Sequence, residues 1–97
     1  MRKWEESLRE RLAVSPEYAA EYLNAVLEEN DPQAFLLALR HVADANGGVS
    51  KLAADAELSR ESLYRTLSET GNPKLTSLTA VLGALGMQLA ILPKKAA

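Results

Sequence analysis

Apolar residues fall at helical spacing along the chain, and residues that start or stop helices interrupt them. Residues 1–12 carry Arg2, Lys3, Glu5, Glu6, Arg9, Glu10 and Arg11 around Trp4 and Leu8, a mixed-charge stretch open to two forms, a frayed arm or a short helix. Ser15-Pro16-Glu17 then supplies an N-cap, a proline suited to the first turn and an acid favoured by the helix dipole. Tyr18, Tyr22 and Val26 recur every four residues beside Ala19, Leu23 and Leu27, which predicts an amphipathic helix ending near Asn30. Asp31-Pro32 repeats the start signal. Phe35, Leu36, Leu37, Ala38, Leu39, Val42 and Ala43 make the next helix apolar nearly all round, as a core helix would be, with a stop at Gly47-Gly48.

The segment that follows is more specific. Ser50 is placed to cap a short helix through Ala56 whose Leu52, Ala53 and Ala56 face inward, and Ser59 to cap a second helix from Arg60. Glu57 and Leu58 remain to turn the chain. Two short helices joined by so tight a turn have the form of a DNA-binding helix-turn-helix, whose second helix lies in the major groove. Ala53 is small where the helices approach, Leu58 plugs the turn, and Leu63 and Leu67 anchor the second helix. The helical period leaves Arg60, Glu61, Tyr64, Arg65 and Ser68 outward as candidate groove readers. Thr70-Gly71-Asn72-Pro73 closes that helix. Leu75, Leu78, Val81, Leu82 and Leu85 predict another that ends at Gly86, and the alternation of Met87, Leu89 and Ile91 with Gln88 and Ala90 predicts a short strand ended by Pro93.

Composition narrows the chemistry. The 97 residues, 47% hydrophobic, suit one compact core. The absence of cysteine removes disulfides and thiolate metal sites, and a lone His41 builds no histidine metal centre, so neither metal nor cofactor is expected. His41 has no nucleophile or carboxylate pair at triad-like spacing, and an enzyme is the least expected class. No apolar run approaches the roughly 20 residues that span a bilayer, and the charged start differs from a signal peptide; a cytoplasmic protein is expected by default. A net charge of −2 argues against indiscriminate coating of nucleic acid, so any DNA contact must come from a local patch.

From Glu17 to Leu92 the sequence resembles the addiction-module antidote proteins, the HigA-like antitoxins of the Xre/Cro-like helix-turn-helix group. The residues that carry the resemblance are Ala20-Glu21-Tyr22-Leu23-Asn24, Leu37-Ala38-Leu39-Arg40, Gly47-Gly48, Ser50-Lys51-Leu52-Ala53, Gly71-Asn72-Pro73, Ala84-Leu85-Gly86 and the more specific run Leu58-Ser59-Arg60-Glu61-Ser62-Leu63-Tyr64-Arg65. Two positions depart from the family pattern. Glu57 stands where the turn usually has glycine, which strains the backbone if φ is positive there. Lys74 stands where a hydroxyl residue often caps the next helix, which gives up the cap and adds a cation that could meet a phosphate.

The resemblance implies an all-α, five-helix, lambda-repressor-like helix-turn-helix domain with an extra N-terminal helix and a short C-terminal strand. Its organisation would be an arm over 1–14, one domain over 15–93 with the helix-turn-helix at about 50–69, and a tail over 94–97. It further implies a transcriptional regulator that binds a double-stranded operator, represses its own operon and neutralises a toxin of the RelE/HigB-like ribonuclease type. A stand-alone phage-type repressor and a helical protein-binding adaptor are the alternatives. Candidate DNA contacts are Ser50, Lys51, Ser59, Arg60, Glu61, Tyr64, Arg65, Ser68 and Lys74. Tyr64 is open between packing on Leu67 and touching a base, and Lys51 and Lys74 between phosphate ligands and plain surface lysines. Glu17, Glu21, Glu28, Glu29 and Asp31 put five acids and no base into fifteen residues, a surface suited to a basic toxin, with Trp4 and Leu8 as added anchors. Met87, Leu89 and Ile91 are the candidate contacts of a homodimer, pairing as strands across a twofold axis.

Overall fold

Six helices account for the regular structure among the described residues: α1 (Lys3–Val14), α2 (Pro16–Leu27), α3 (Pro32–Ala45), α4 (Val49–Asp55), α5 (Arg60–Thr66) and α6 (Leu75–Ala84). The computed structural model describes residues 3–68 and 70–95; the outermost residues of the arm and tail read from sequence, and Glu69, lie outside it.

Two of the start signals act as expected. The Ser15 hydroxyl accepts the Tyr18 N–H at 3.0 Å and Asp31 Oδ1 accepts the Ala34 N–H at 3.1 Å, with Pro16 and Pro32 in the first turns. α3 is the central helix. Phe35, Leu36, Ala38, Leu39, Val42 and Ala43 are all buried, against Ala19 and Leu23 of α2, Val49, Leu52 and Ala53 of α4, Leu63 of α5, and Val81 and Leu82 of α6. The burial is not quite all round, because Leu37 is exposed. Of the two forms open for the first residues, the chain takes the helix. α1 packs on α2 and α3 through Leu8 and Leu12, the latter only 2% exposed, so this stretch has more to bury than its charges suggested. Asn46 Nδ2 secures it by donating to the Leu12 carbonyl at 3.1 Å and the Val42 carbonyl at 2.8 Å, satisfying an end-of-helix acceptor on α1.

Three helices end in the same way, with a left-handed residue followed by a hydrogen bond that reaches back five positions. Gly47 (φ +104°) lets the Gly48 N–H donate to the Ala43 carbonyl at 2.9 Å, and Gly86 (φ +83°) lets Met87 N–H donate to Leu82 at 2.8 Å. After α4 the left-handed residue is Glu57, at φ +57°, and the Leu58 N–H donates to Ala53 at 2.8 Å. The strain anticipated at the missing glycine is present.

Four expectations need correction. Ser50 is not a cap: α4 begins two residues earlier than that cap implies, at Val49 after Gly48, and has no side-chain cap bond. α5 ends at Thr66, so Ser68 lies beyond it. Leu75 is exposed rather than part of the buried stripe of α6. Residues 87–92 form no strand. Met87 is consumed in closing α6 and packs half-buried on the core, and among the described residues nothing pairs with residues 88–92 through backbone hydrogen bonds, as a strand requires.

Candidate nucleic-acid interface

The orientation of α5 is fixed from below and from its start. Leu63 and Leu67 lie in the core, and Leu58, the residue after the strained Glu57, packs half-buried against it. The Ser59 hydroxyl accepts the Ser62 N–H at 3.3 Å, so its role is to start the helix. With one side of α5 fixed inward, the 3.6-residue period turns Arg60, Glu61, Tyr64 and Arg65 outward, and all four are exposed. Arg65 Nη2 lies 3.5 Å from the Ser62 hydroxyl, at the outer limit of a hydrogen bond, which among the described residues leaves its guanidinium largely uncommitted. Ser68 differs. Its hydroxyl donates to the Arg65 carbonyl at 2.6 Å, closing the end of α5.

Tyr64 makes a contact that neither reading of the sequence includes. The Arg40 guanidinium of α3 lies over its ring, 5.0 Å from the centroid, while the residue stays 42% exposed. Such a contact is worth roughly 0.5–1 kcal/mol at an exposed site. It holds the ring by one face and leaves the remainder to solvent. Arg40 Nε is buried 3.5 Å from Asp44 Oδ1 without a well-formed hydrogen bond, so the α3 side chain is placed by the ion pair and the ring together. Arg40 was missed as a site residue. It is far from α5 in sequence, and no local spacing reveals a contact made by tertiary packing.

The two lysines separate. Lys51 Nζ lies 2.8 Å from Asp55 Oδ2, an i,i+4 pair on the surface of α4 that offsets the lysine's charge. Lys74 is exposed at the start of α6, with no side-chain cap bond, as its departure from a hydroxyl implied. The exposed cations at and beside α5 are thus Arg60 and Arg65, with Arg40 half-covered beneath Tyr64, and Glu61 among them holds down the net charge of the face.

The acidic candidates form a second surface. On α2, Glu17, Glu21 and the capping residue Glu28 share a helical face with Asn24, and all are exposed. Glu29 and Asp31 continue it through the turn, although Asp31 spends one carboxylate oxygen capping α3. Trp4 and Leu8 are elsewhere. They line a cleft of about 290 Å³ with Arg9, Leu12, His41 and Asp44, which none of the five acids borders. On the same cleft, His41 Nδ1 is 3.0 Å from the Tyr22 hydroxyl. Burial, with Tyr18 alongside, raises the Tyr22 pKa above the usual tyrosine value. Of the dimer candidates, Met87 packs on its own core, whereas Leu89 and Ile91 project from it. Among the described residues, no three His, Cys, Asp or Glu side chains gather as a metal site would need, and no helix is long and apolar enough to cross a membrane.

Residues 7–93 match the model of a family described as probable addiction module antidote protein. Over 70 residues the chain is 41% identical to an uncharacterized protein of Haemophilus influenzae, an alignment that covers 72% of this chain and 71% of that one. No solved structure matches.

Proposed function

The chain belongs to the family of probable addiction module antidote proteins, and from that premise we propose that it is an antitoxin that also binds its own operator. In this reading α4 and α5 form a helix-turn-helix of the lambda-repressor-like, Xre/Cro type. α5 enters the major groove, and the protein represses its operon in the cytoplasm as a homodimer, with no reaction of its own. The observation that supports it best is the outward face of α5. A helix held by Leu63 and Leu67, entered through a tight turn and starting at a capped Ser59, presents Arg60, Tyr64 and Arg65 to solvent. Arginine donates two hydrogen bonds to guanine's major-groove edge, and a tyrosine ring suits the thymine methyl. With Lys51 paired to Asp55, the phosphate contacts fall mainly to Lys74 and to the Arg40 guanidinium beside the ring.

The partner is an RelE/HigB-like ribonuclease. Such an enzyme needs a basic surface to hold a phosphate backbone, and the acidic face of α2 opposes it with Glu17, Glu21 and Glu28 on a firm scaffold. The Trp4–Leu8 cleft, facing elsewhere, would be a separate anchor point. The test has two arms: binding of the protein to DNA from upstream of its gene against random DNA in moderate salt, and co-purification with the product of the adjoining gene. Preference for the upstream DNA together with capture of a small basic protein is expected. Equal binding of both DNAs would refute the operator arm, and a stand-alone repressor would keep the first result and lack the second.

A further inference from the structure

Two features of the surface have no counterpart within one copy of the chain. The first is a groove of about 420 Å³ between the α2–α3 turn and the start of α6, lined by Leu27, Pro32, Phe35, Leu36, Pro73 and Leu78, with Asp31 on its edge. Glu28 and Glu29 flank it in the turn, both exposed. The second is the C-terminal segment, where Leu89, Ile91 and Leu92 are 44%, 99% and 82% exposed and are followed at once by Lys94 and Lys95. An apolar segment ending in two cations faces water, and an apolar groove edged by acids is open. We propose that the two belong together across a dimer: the segment 89–95 of each copy lies in the groove of the other, with Leu89 and Ile91 in the apolar part and Lys94 and Lys95 against Glu29 and Asp31.

Geometry favours a second copy over closure on the same chain. The segment leaves α6 beside the first turns of α2, where Gly86, Met87 and Gln88 line a cleft with Pro16, Glu17 and Ala20. The groove is at the far end of α2, beside Leu27. Within one chain Leu89, Ile91 and Leu92 do not line that groove and stay exposed. A twofold exchange removes the difficulty for both copies at once, since each supplies one segment and one groove, and it buries an apolar stretch that a lone chain exposes. Glu17 and Glu21, at the other end of the acidic face, remain available to the toxin.

This inference rests on the homodimer in the proposed function and specifies how it is made. The test uses the full chain, whose lack of cysteine makes introduced ones unambiguous. Sedimentation should show a dimer for the unaltered protein and its loss in I91D/L92D and in L27D, with dimer recovered on mixing the two variants, because one intact segment then meets one intact groove. Chains carrying I91C, mixed with chains carrying L27C and oxidised, should form an interchain disulfide. Circular dichroism checks that each variant is folded, and a variant that is not is replaced by charge reversal at Lys94 and Lys95, which leaves the core untouched. Dimers that persist in both variants would overturn the exchange while leaving the homodimer standing. A monomer at every concentration of the unaltered chain would overturn both. A disulfide formed within a single chain carrying both cysteines, in place of the interchain product, would show closure on the same chain and overturn the proposal.

Discussion

Glu57 is the residue at which sequence and backbone disagree, and both halves of that disagreement are visible. The turn between α4 and α5 needs a left-handed residue, the φ is +57°, and a side chain there costs about 1–2 kcal/mol. Glycine removes that cost but gains freedom in the unfolded chain, so Glu57→Gly should raise stability by a net of about 0.5–1 kcal/mol. A shift of the urea midpoint upward with unchanged slope is the expected signature, and an unchanged or lowered midpoint would show that the turn carries no strain. The same comparison at Asn30, φ +56°, should give a smaller gain, because asparagine tolerates this conformation better. Arg40 shows the opposite limit of sequence reading. Nothing near it in the chain marks it as part of the α5 surface, and its stacking on Tyr64 exists only once α3 and α5 are packed.

Helices were legible wherever a local cap and a periodic apolar face coincided. Ser15-Pro16 and Asp31-Pro32 put the starts of α2 and α3 where the side-chain bonds now lie, and Leu63 and Leu67 orient α5 as their spacing implied. Elements defined by a partner were not legible. Alternation at residues 87–92 looks like a strand, yet a strand is a relation between segments, and the chain alone offers it no neighbour. Ser50 lies inside α4 and caps nothing, because the break at Gly48 already starts the helix. In the sequence Gly71 belongs to the run that closes α5, but its need for glycine is steric: a Cβ there would clash with the Thr66 carbonyl oxygen at the end of α5. Gly71→Ala must therefore push the α5–α6 connection outward, at a cost of roughly 1–3 kcal/mol. That exceeds the ~0.4–1 kcal/mol that alanine returns by restricting the unfolded chain. A drop in thermal midpoint is expected, and a stabilised Gly71→Ala protein would contradict the packing described for this connection.

At the scale of the whole molecule, charge and core divide the labour. The acidic face runs along α2 and the arginines lie on α5, with α3 buried between the two groups of helices. α1 and α2 cannot be treated as a dispensable arm, since Leu12, Ala19 and Leu23 belong to the core; toxin recognition is better probed by surface charge than by truncation. Glu17→Lys with Glu21→Lys should leave the fold and operator binding intact and weaken capture of the toxin, a loss best seen at low salt, where screening is least. Undiminished capture would move the toxin interface off α2. The central claim is that α5 reads sequence, and it is tested most directly by titrating operator and random DNA with the unaltered protein and with Arg60→Ala and Arg65→Ala at several salt concentrations. Each variant should lose on the order of 1–3 kcal/mol of discrimination between the two DNAs. Lys74→Ala, by contrast, should weaken both DNAs alike and lower the salt slope by about one unit. If Arg60→Ala and Arg65→Ala discriminate between operator and random DNA as sharply as the unaltered protein does, α5 is not the reading helix.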